Sequence, residues 1–405
     1  MNVLFLAPDT HVYNHGFLRG LKDLGARVSG IGPTGREQLT PQARHLLDDY
    51  RACPNVLDGK AMQAAATELA QPGFDRIETI DEPLVDPAAA LREHFGVPGL
   101  SLATAKLCRD KVAMKEFLRE HDVPCAMSES VTSVAEAVAF AERCGYPIVA
   151  KPVDGFGSLA TYRCDDQKQL EEALKKLKPS PKRRIALEEF IEGHEGFFDT
   201  MCDDDGVRHE FGSHYYPGCL EATLHRWISP QIAVTNRLDE KGYQELRAMN
   251  QRIVDALQLR NCATHMEWFF GPKGLKFGEI GARPAGEKIW DMYRVANEFD
   301  VYREWALAIF GKPGQKTPSR RFAAGSIQIR PSKDGRYVGH RGLEAALQHC
   351  GDAIYEHSIP KAGTPTKGLD RGWLVNTWFR LRHEDYDKVR ELMTHLGENV
   401  RADAR

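Results

Sequence analysis

Long apolar runs are missing from this 405-residue sequence. No stretch approaches the roughly 18 consecutive apolar residues that a membrane-spanning helix needs. The first residues, MNVLFLAPD, have no basic segment and only five consecutive apolar residues before Pro8, which is typical of a β-strand and not of a signal peptide. We therefore expect a protein that does not span a membrane and that resides in the cytoplasm.

Paired cysteines and an excess of charge of one sign are also missing. The nine cysteines lie at least 17 residues apart, which excludes any CxxC motif and favours reduced, mostly buried thiols. The 54 lysines and arginines nearly balance the 57 aspartates and glutamates, leaving a net charge of −3. Such a balance offers no strong attraction for phosphate backbones or anionic lipid, so we expect neither nucleic acid nor a membrane as a partner.

The first hundred residues alternate strand and helix patterns. Val3 to Ala7, Ala26 to Ile31 and Phe74 to Ile80 are predicted strands, and Tyr13 to Leu24 and Lys60 to Ala70 are predicted helices. This βαβ pattern predicts a doubly wound parallel sheet. No GxGxxG turn follows the first strand, which argues against a dinucleotide site.

Later parts of the chain mix helices with hairpins, which is typical of α+β architecture. A helix is predicted over Lys111 to Glu120, and an amphipathic helix over Lys241 to Leu259. Two hairpins are predicted to turn near residues 205–206 and 271–274. After Arg320, strands at Ala323 to Ile329 and Trp373 to Leu381 and helices at 342–349 and 384–396 predict a small α+β extension.

The second hairpin carries two glutamates at matched positions. Glu267 and Glu279 are each six residues from Lys273, so a turn centred there places the two carboxylates opposite each other, and likewise Phe269 and Phe277. Opposed like charges destabilise strand pairing, and a cation between them reverses that effect. Two carboxylates suit Mg²⁺, which is commonly bound together with nucleotide phosphates. The alternative is an exposed face on which the glutamates never meet.

The next feature is a buried strand that ends at Lys151 and is followed by a glycine-rich loop. The segment AKPVDGFGS places this lysine beside Gly155, Gly157 and Ser158, an arrangement that brings a cation and backbone N–H groups to phosphates. The segment after the glycines is β-like, so the loop joins two strands and does not open a helix as a dinucleotide fingerprint requires. A simple turn is the alternative interpretation.

Taken in order, these segments resemble the ATP-grasp superfamily, as in D-alanine:D-alanine ligase, biotin carboxylase and the bacterial L-amino-acid ligases. Arg109-Asp110-Lys111 resembles the motif of the first phosphate lysine, and Lys151 resembles the second. The resemblance further assigns a mobile phosphate loop, which comprises Gly155, Gly157 and Ser158. It implies ATP as a substrate nucleotide.

The acidic run LEEFIEGHE is similar to the superfamily's hinge segment, although alone it is typical of a solvated edge. The resemblance implies that Glu188, Glu189 and Ile191 face the adenine and that Glu195 faces the ribose hydroxyls. It also implies that Glu267 and Glu279 are ligands of Mg²⁺, with Mn²⁺ as an alternative ion.

The resemblance divides the chain into four units. It implies an N-terminal doubly wound domain over 1–105, a lid subdomain over 106–190, a catalytic subdomain over 191–310 and an α+β extension over 311–405.

One position departs from the superfamily pattern. Many members read Glu-x-Asn-x-Arg at the second metal ligand, whereas Gly281 stands here in place of the asparagine. Glycine supplies no side-chain oxygen, so one metal ion is expected to be held less tightly or to take water as a ligand. Arg283 is retained, and with Lys151 it is the implied catalytic residue, which offsets charge on the transferred phosphate.

The implied function is an ATP-dependent carboxylate–amine ligase that forms an amide through an acyl phosphate, with a small carboxylic acid and an amine as substrates. Glu82, His214 and Arg226 are candidates for substrate binding, and each has scaffold or surface as its alternative role. A peptide-macrocyclising ligase and a non-catalytic nucleotide-binding regulator are the alternative functions. A homodimer is one expected assembly that the sequence leaves open.

Overall fold

The computed structural model describes residues 1–155, 160–368 and 375–405. Its N-terminal layer is a parallel sheet in the order β3-β2-β1-β4, as the alternating pattern predicted. The strands are β1 Asn2–Leu6, β2 Arg27–Gly32, β3 Asp49–Ala52 and β4 Arg76–Glu78. The helices are α1 Asn14–Asp23, α2 Pro41–Leu46, α3 Gly59–Leu69, α4 Val85–Phe95 and α5 Leu102–Arg109.

A second sheet follows α6 Lys111–Glu120, a helix whose first backbone N–H groups donate to the Asp110 side chain. This small sheet is antiparallel, in the order β5-β8-β6-β7. Its strands are β5 Ser128–Val131, β6 Ile148–Pro152, β7 Tyr162–Cys164 and β8 Ile185–Glu189, and its helices are α7 Val134–Cys144 and α8 Gln167–Leu177.

The third sheet is antiparallel and eight-stranded, in the order β13-β12-β9-β10-β11-β14-β17-β16. Its strands are β9 His194–Asp203, β10 Gly206–Tyr216, β11 Gln231–Val234, β12 Cys262–Gly271, β13 Gly274–Gly281, β14 Ala323–Ile329, β16 Ile354–Ser358 and β17 Thr377–His383. The remaining strands, β15 Tyr337–Arg341 and β18 Arg401–Ala404, pair with each other. The helices are α9 Cys219–Leu224, α10 Gln244–Ala256, α11 Ile289–Asn297, α12 Val301–Ile309, α13 Leu343–Cys350 and α14 Tyr386–Asn399.

Two observations bear on the later part of the chain. Strands β14, β16 and β17 continue the eight-stranded sheet, so the expected C-terminal extension shares a sheet with the preceding residues. The strand predicted from Trp373 begins at Thr377 among the described residues, because 369–374 lie outside them. The proposed domain boundaries stay a prediction.

The N-terminal layer and the large sheet share one apolar core. Phe17 of α1 packs edge-on against Tyr302 and Trp305 of α12, with ring centroids 4.9 Å apart in each pair. A Cβ atom at Gly20 would lie 2.4 Å from the Tyr302 carbonyl oxygen, so only glycine permits this close helix contact. The small sheet instead has a core of its own, which includes Phe140, Ile148, Leu170 and Ile185.

The cysteines match the prediction of reduced, buried thiols. All nine are free, and seven are buried. In the described parts of the chain, no helix is long and apolar enough to cross a bilayer.

Candidate functional site

A cavity of about 630 Å³ lies between the small sheet and the large sheet. It is lined by most of the residues that the sequence motifs selected, which come from α6, β6, β8, the segment after β8, and the β12–β13 hairpin. These are Lys111, Lys151, Gly155, Glu188, Glu189, Ile191, Glu195, Glu267 and Glu279. The predicted loop residues Gly157 and Ser158 lie outside the described residues.

Alternating lysines and glutamates form a chain of ion pairs along one wall of this cavity. The Glu188 carboxylate lies 2.9 Å from the ammonium of Lys115 through one oxygen and 2.9 Å from that of Lys151 through the other. Lys151 lies 4.0 Å from Glu279, which in turn lies 3.0 Å from Lys111. Three cations therefore meet two carboxylates in this chain of ion pairs, and the lysines are cations of the kind that contact phosphates.

Strand pairing explains how Lys151 and Glu188 meet. Val149 lies opposite Glu188 in the β6–β8 pair, and Lys151 is two residues further along β6. Alternation therefore places both charged side chains on one face of the small sheet. Lys111 reaches the same place from α6, where its ammonium donates to the Gly155 carbonyl at 2.5 Å.

These contacts set the ionisation of the carboxylates. Burial raises the pKa of Glu188, but Lys115 and Lys151 outweigh this effect and hold the pKa at about 2. Burial likewise opposes ionisation of Glu279, and Lys111 and Lys151 hold its pKa at about 2. Both groups are therefore anionic at neutral pH, while the Glu188 and Glu279 charges raise the pKa of Lys151 despite its burial.

The two glutamates of the hairpin face each other and the turn lies at residues 271–274, both as predicted, but the centre of the turn lies half a residue before Lys273. The turn residues are Pro272 and Lys273, because Gly271 pairs with Gly274. A β-bulge between Glu267 and Trp268 shifts the register by one residue and brings Glu267 opposite Glu279.

The same bulge makes the predicted pairing of the two phenylalanines wrong. Phe277 lies opposite Trp268, and Phe269 lies opposite Lys276. The residue left without a partner on β13 is Gly278, where a Cβ atom would lie 3.0 Å from the Glu267 carbonyl oxygen. A glycine therefore occupies the tight point of the bulge.

The environment of Glu267 favours a bound cation. Burial and the neighbouring Glu279 and Glu195 charges raise the pKa of Glu267 to about 7. Ligand atoms of Glu195, Cys219 and Glu267 all lie within 4.8 Å of one another. Glu195 also accepts a hydrogen bond from the Cys219 backbone N–H at 2.7 Å, which places its carboxylate beside Glu267. Its expected contact with a ribose stays a prediction.

Arg283 is held by the N-terminal layer. Its Nε donates to one oxygen of Glu82 at 2.7 Å, and Arg109 donates to the other at 3.0 Å. Burial opposes ionisation of Glu82, but Arg283 and Arg109 outweigh it and lower the pKa of this carboxyl. Both Glu82 oxygens thus contact arginines. A Cβ atom at Gly281 would lie 3.0 Å from Glu82 Oε2, so this glycine gives Glu82 room to reach Arg283.

Four of the candidates lie outside the cavity lining: Arg283 and Glu82, described above, and His214 and Arg226. His214 is buried and hydrogen-bonded to His194 at 2.8 Å and to the Tyr243 hydroxyl at 2.7 Å. Burial and the neighbouring His194 lower the pKa of His214 to about 3, so its ring is neutral. Arg226 pairs with Asp334 at 2.6 Å. The cavity therefore receives neither the His214 nor the Arg226 side chain.

Two cavity residues were missed by sequence reasoning: Lys115 and Cys219. Lys115 carried a usable signal, because it lies four residues after Lys111 and hence on the same face of α6. Cys219 carried none, since its position depends on contacts between distant segments.

The buried pair of Lys115 and Glu188 predicts a pH-dependent stability. Because the folded-state pKa of Glu188 lies at about 2, below its usual 4.5, its contribution is complete above pH 4.5 and is lost as the pH falls towards 2. We expect Glu188→Gln to lower the free energy of unfolding at pH 7 by about 3 kcal/mol, because it leaves Lys115 buried without a counterion. Urea unfolding at pH 7 and at pH 3.5 measures the difference.

That difference between wild type and Glu188→Gln should shrink at the lower pH. Glu129→Gln is the matched control, because Glu129 is 42% exposed and pairs with Arg143 on the surface. An equal effect of both substitutions at pH 7 contradicts the prediction.

A parallel-sheet layer and two antiparallel sheets that enclose lysines and facing carboxylates define a nucleotide-grasping fold. The family model of the carbamoyl-phosphate synthase L chain, ATP-binding domain, matches residues 110–284. Together with the relatives described next, this match confirms the predicted resemblance to the ATP-grasp enzymes.

Two relatives with similar sequences are a ligase and the large chain of a synthase. The L-arginine-specific L-amino acid ligase of Bacillus subtilis is 27% identical over 66% of this chain and 65% of that ligase. The arginine-specific large chain of carbamoyl phosphate synthase of Lactiplantibacillus plantarum is 29% identical over 44% of this chain. The match therefore spans about two thirds of the ligase and 17% of the synthase chain.

Similar folds cover the whole chain. The L-amino acid ligase of Bacillus licheniformis has a TM-score of 0.79 at 19% identity and covers 100% of this chain and 98% of its own. The N5-carboxyaminoimidazole ribonucleotide synthetase of Thermotoga maritima has a TM-score of 0.71 at 17% identity and covers 100% of this chain and 99% of its own. These likenesses confirm the fold.

Proposed function

We propose that this protein is an ATP-dependent carboxylate–amine ligase that forms an amide bond through an acyl-phosphate intermediate. The observation that carries the proposal is the facing pair Glu267 and Glu279, flanked in one cavity by Lys111 and Lys151. Cations that flank a carboxylate pair suit a metal-bound triphosphate, and Arg283 offers a further cation from the same strand end as Glu279.

The donor set fits a hard divalent cation. Glu267 and Glu279 offer carboxylate oxygens, which Mg²⁺ and Mn²⁺ prefer, and a cation removes the repulsion that raises the pKa of Glu267. Such a metal would supply positive charge that offsets the charge of the phosphates. Glu267 and Glu279 are the residues that hold it in this proposal, and Glu195 lies close enough to contribute an oxygen.

The chemistry follows from the charges of the chain. A substrate carboxylate attacks the γ-phosphorus of ATP, the bond to the β-phosphate oxygen breaks, and acyl phosphate and ADP result. An amine then attacks the acyl carbon, and phosphate and a proton leave as the amide forms. Lys111, Lys151 and Arg283 offset the negative charge of the transferring phosphoryl group, so the reaction needs no covalent protein nucleophile.

Hinge residues supply the nucleotide slot. Glu188 and Glu189 end β8, and Ile191 lies just after it on the cavity wall, so in this proposal their backbone groups face the adenine. Lys151 lies beside them, 2.9 Å from Glu188. The relative named for L-arginine supports amino acids or similar small acids as the substrate class here. A small-molecule acid and a small-molecule amine are therefore the proposed substrates.

The test is nucleotide turnover. Purified protein with Mg²⁺, ATP and a pool of amino acids is expected to release ADP and phosphate in equal amounts, and mass spectrometry is expected to find a product one water lighter than its two precursors. Tight ATP binding without ADP release across a broad panel of acids and amines would contradict the proposal and favour the nucleotide-binding regulator. Turnover only with a peptide substrate would favour the macrocyclising ligase.

A further inference from the structure

Arg330, which directly follows β14, is a buried arginine, and one edge of its guanidinium has no hydrogen-bond partner among the described residues. The residue is only 8% exposed to solvent. One terminal nitrogen, Nη1, donates to the carbonyl oxygen of Ala222 and, at 3.2 Å, to that of His225. The other two nitrogens, Nε and Nη2, are shielded from solvent and have no hydrogen-bond partner among the described residues.

The chemistry of this edge indicates its ligand. Nε–H and Nη2–H point in the same direction, and together they form the fork that binds both oxygens of a carboxylate. A buried donor without a partner costs free energy, so an unpaired fork needs an explanation. Because Nη1 fixes the guanidinium to two backbone carbonyls, the fork is held in one orientation, as a specific anion site requires.

One cation and one anion act on Arg330. Burial and the neighbouring Arg226 lower its pKa to about 10, while Glu287 acts in the opposite direction. Arg226 itself pairs with Asp334. Glu287, the anion that acts on Arg330, makes no hydrogen bond to it within the described ranges, and its own pKa is raised to about 7 by burial. The fork therefore has no anion bound to it from the described chain.

Arg330 is connected to the proposed active site from two sides. The segment whose carbonyls hold it, Ala222 to His225, belongs to the wall of the nucleotide cavity, since Leu224 and His225 line that cavity. Glu287 lies four residues after Arg283, on the loop that leads into α11. A ligand at Arg330 is thus next to the site but not among the lysines that hold phosphates.

We propose that Arg330 binds, through Nε and Nη2, the carboxylate of an acceptor amino acid that is not itself activated. This inference rests on the proposed function. The activated carboxylate must lie beside the γ-phosphate, and Arg330 does not line that cavity. A carboxylate held at Arg330 is therefore one that survives the reaction. The acceptor class is an α-amino acid and not a simple amine, and local movement of the covering residues admits it.

A competition experiment tests this inference. Full-length protein receives Mg²⁺, ATP, the twenty common amino acids, which serve both as donors and as free acceptors, and an equal total amount of their α-amides, which can serve only as acceptors. Mass spectrometry then gives the ratio of dipeptide to dipeptide amide. For the wild type we expect free acceptors to be preferred by about tenfold or more, since one charged fork is lost with the amide. Arg330→Met should bring the ratio close to one.

The controls separate this inference from the proposed function. Arg341→Met is the matched control, because Arg341 is 73% exposed and pairs with Asp403, and it should keep the wild-type ratio. Arg330→Lys keeps a cation without the fork and should also lose most of the preference. A wild type without preference for free acceptors, or an Arg330→Met variant that retains it, overturns the inference while ADP release still supports the ligase.

A binding measurement tests the role of Arg330 if no product forms or if the Arg330 variants do not fold. With Mg²⁺ and adenylyl imidodiphosphate present, free amino acids should raise the thermal unfolding temperature of the wild type more than their amides do. If no product forms at all, the ligase proposal fails and this comparison alone decides. Equal shifts by acids and amides in the wild type contradict the role of Arg330 even if neither Arg330 variant folds.

Discussion

Glu279→Gln is expected to lower the rate of ADP release by at least about a hundredfold. The substitution removes the charge that faces Glu267 across the hairpin and that contacts Lys111 at 3.0 Å. A neutral amide is a poor ligand for a divalent cation, and it leaves Lys111 without the anion that positions it, whereas Lys151 keeps its closer partner Glu188. The measurement is steady-state ADP release at saturating ATP and Mg²⁺.

Two further observations make this expectation specific. Glu384→Gln, on a surface glutamate that is 62% exposed and pairs with Arg321, should leave ADP release unchanged. Higher Mg²⁺ concentration should restore part of the lost activity in Glu279→Gln, because the defect is in metal binding. Near wild-type turnover in Glu279→Gln at ordinary Mg²⁺ would show that this carboxylate holds no catalytic metal.

Arg283→Lys is expected to reduce ADP release by about a hundredfold while ATP affinity changes little. Arg283 donates through Nε to Glu82 and through Nη1 to the Pro284 carbonyl, and Nη2 has no hydrogen-bond partner among the described residues that would compete with a transferred phosphoryl group. A lysine ammonium cannot fill all these places at once. The loss should therefore fall on kcat. Comparison of kcat with the Kd for ATP, measured by titration calorimetry, checks the prediction.

The anchor of Arg283 gives an independent check. Glu82→Gln should weaken the clamp without removing the cation, so its effect on kcat should be smaller, about tenfold. Arg143→Lys is the matched surface control, since Arg143 is 55% exposed. A loss of ATP affinity in Arg283→Lys that equals the loss of kcat would argue for a binding role and against transition-state stabilisation.

Much of this site could be predicted from the sequence because its signals are local. Lys151 is delivered by a buried strand into a glycine-rich loop, and Glu267 and Glu279 sit at matched distances from a turn. Strand alternation then determines which face each side chain occupies. The bulge at Gly278 was not predictable in this way, and it compensates for an error of half a residue in the assumed centre of the turn.

Other features depend on contacts between distant segments, which no local pattern reports. Glu82 meets Arg283 across 201 positions of sequence, and Lys115 meets Glu188 across 73. His214 is a polar residue but lies in a buried aromatic cluster, where desolvation keeps its ring neutral. Its place in the sequence therefore suggested a substrate-binding role that its surroundings do not support.

The way the apolar cores are divided has a consequence for how a nucleotide enters. The N-terminal layer packs against the large sheet through Phe17, Tyr302 and Trp305. These two parts therefore keep one relative geometry, and Arg283 keeps its contact with Glu82. The small sheet has a separate core and carries Lys151 and Glu188. We therefore expect the proposed nucleotide site to open by a movement of the small sheet relative to the other two sheets, with the segment after β8 as the connection that bends.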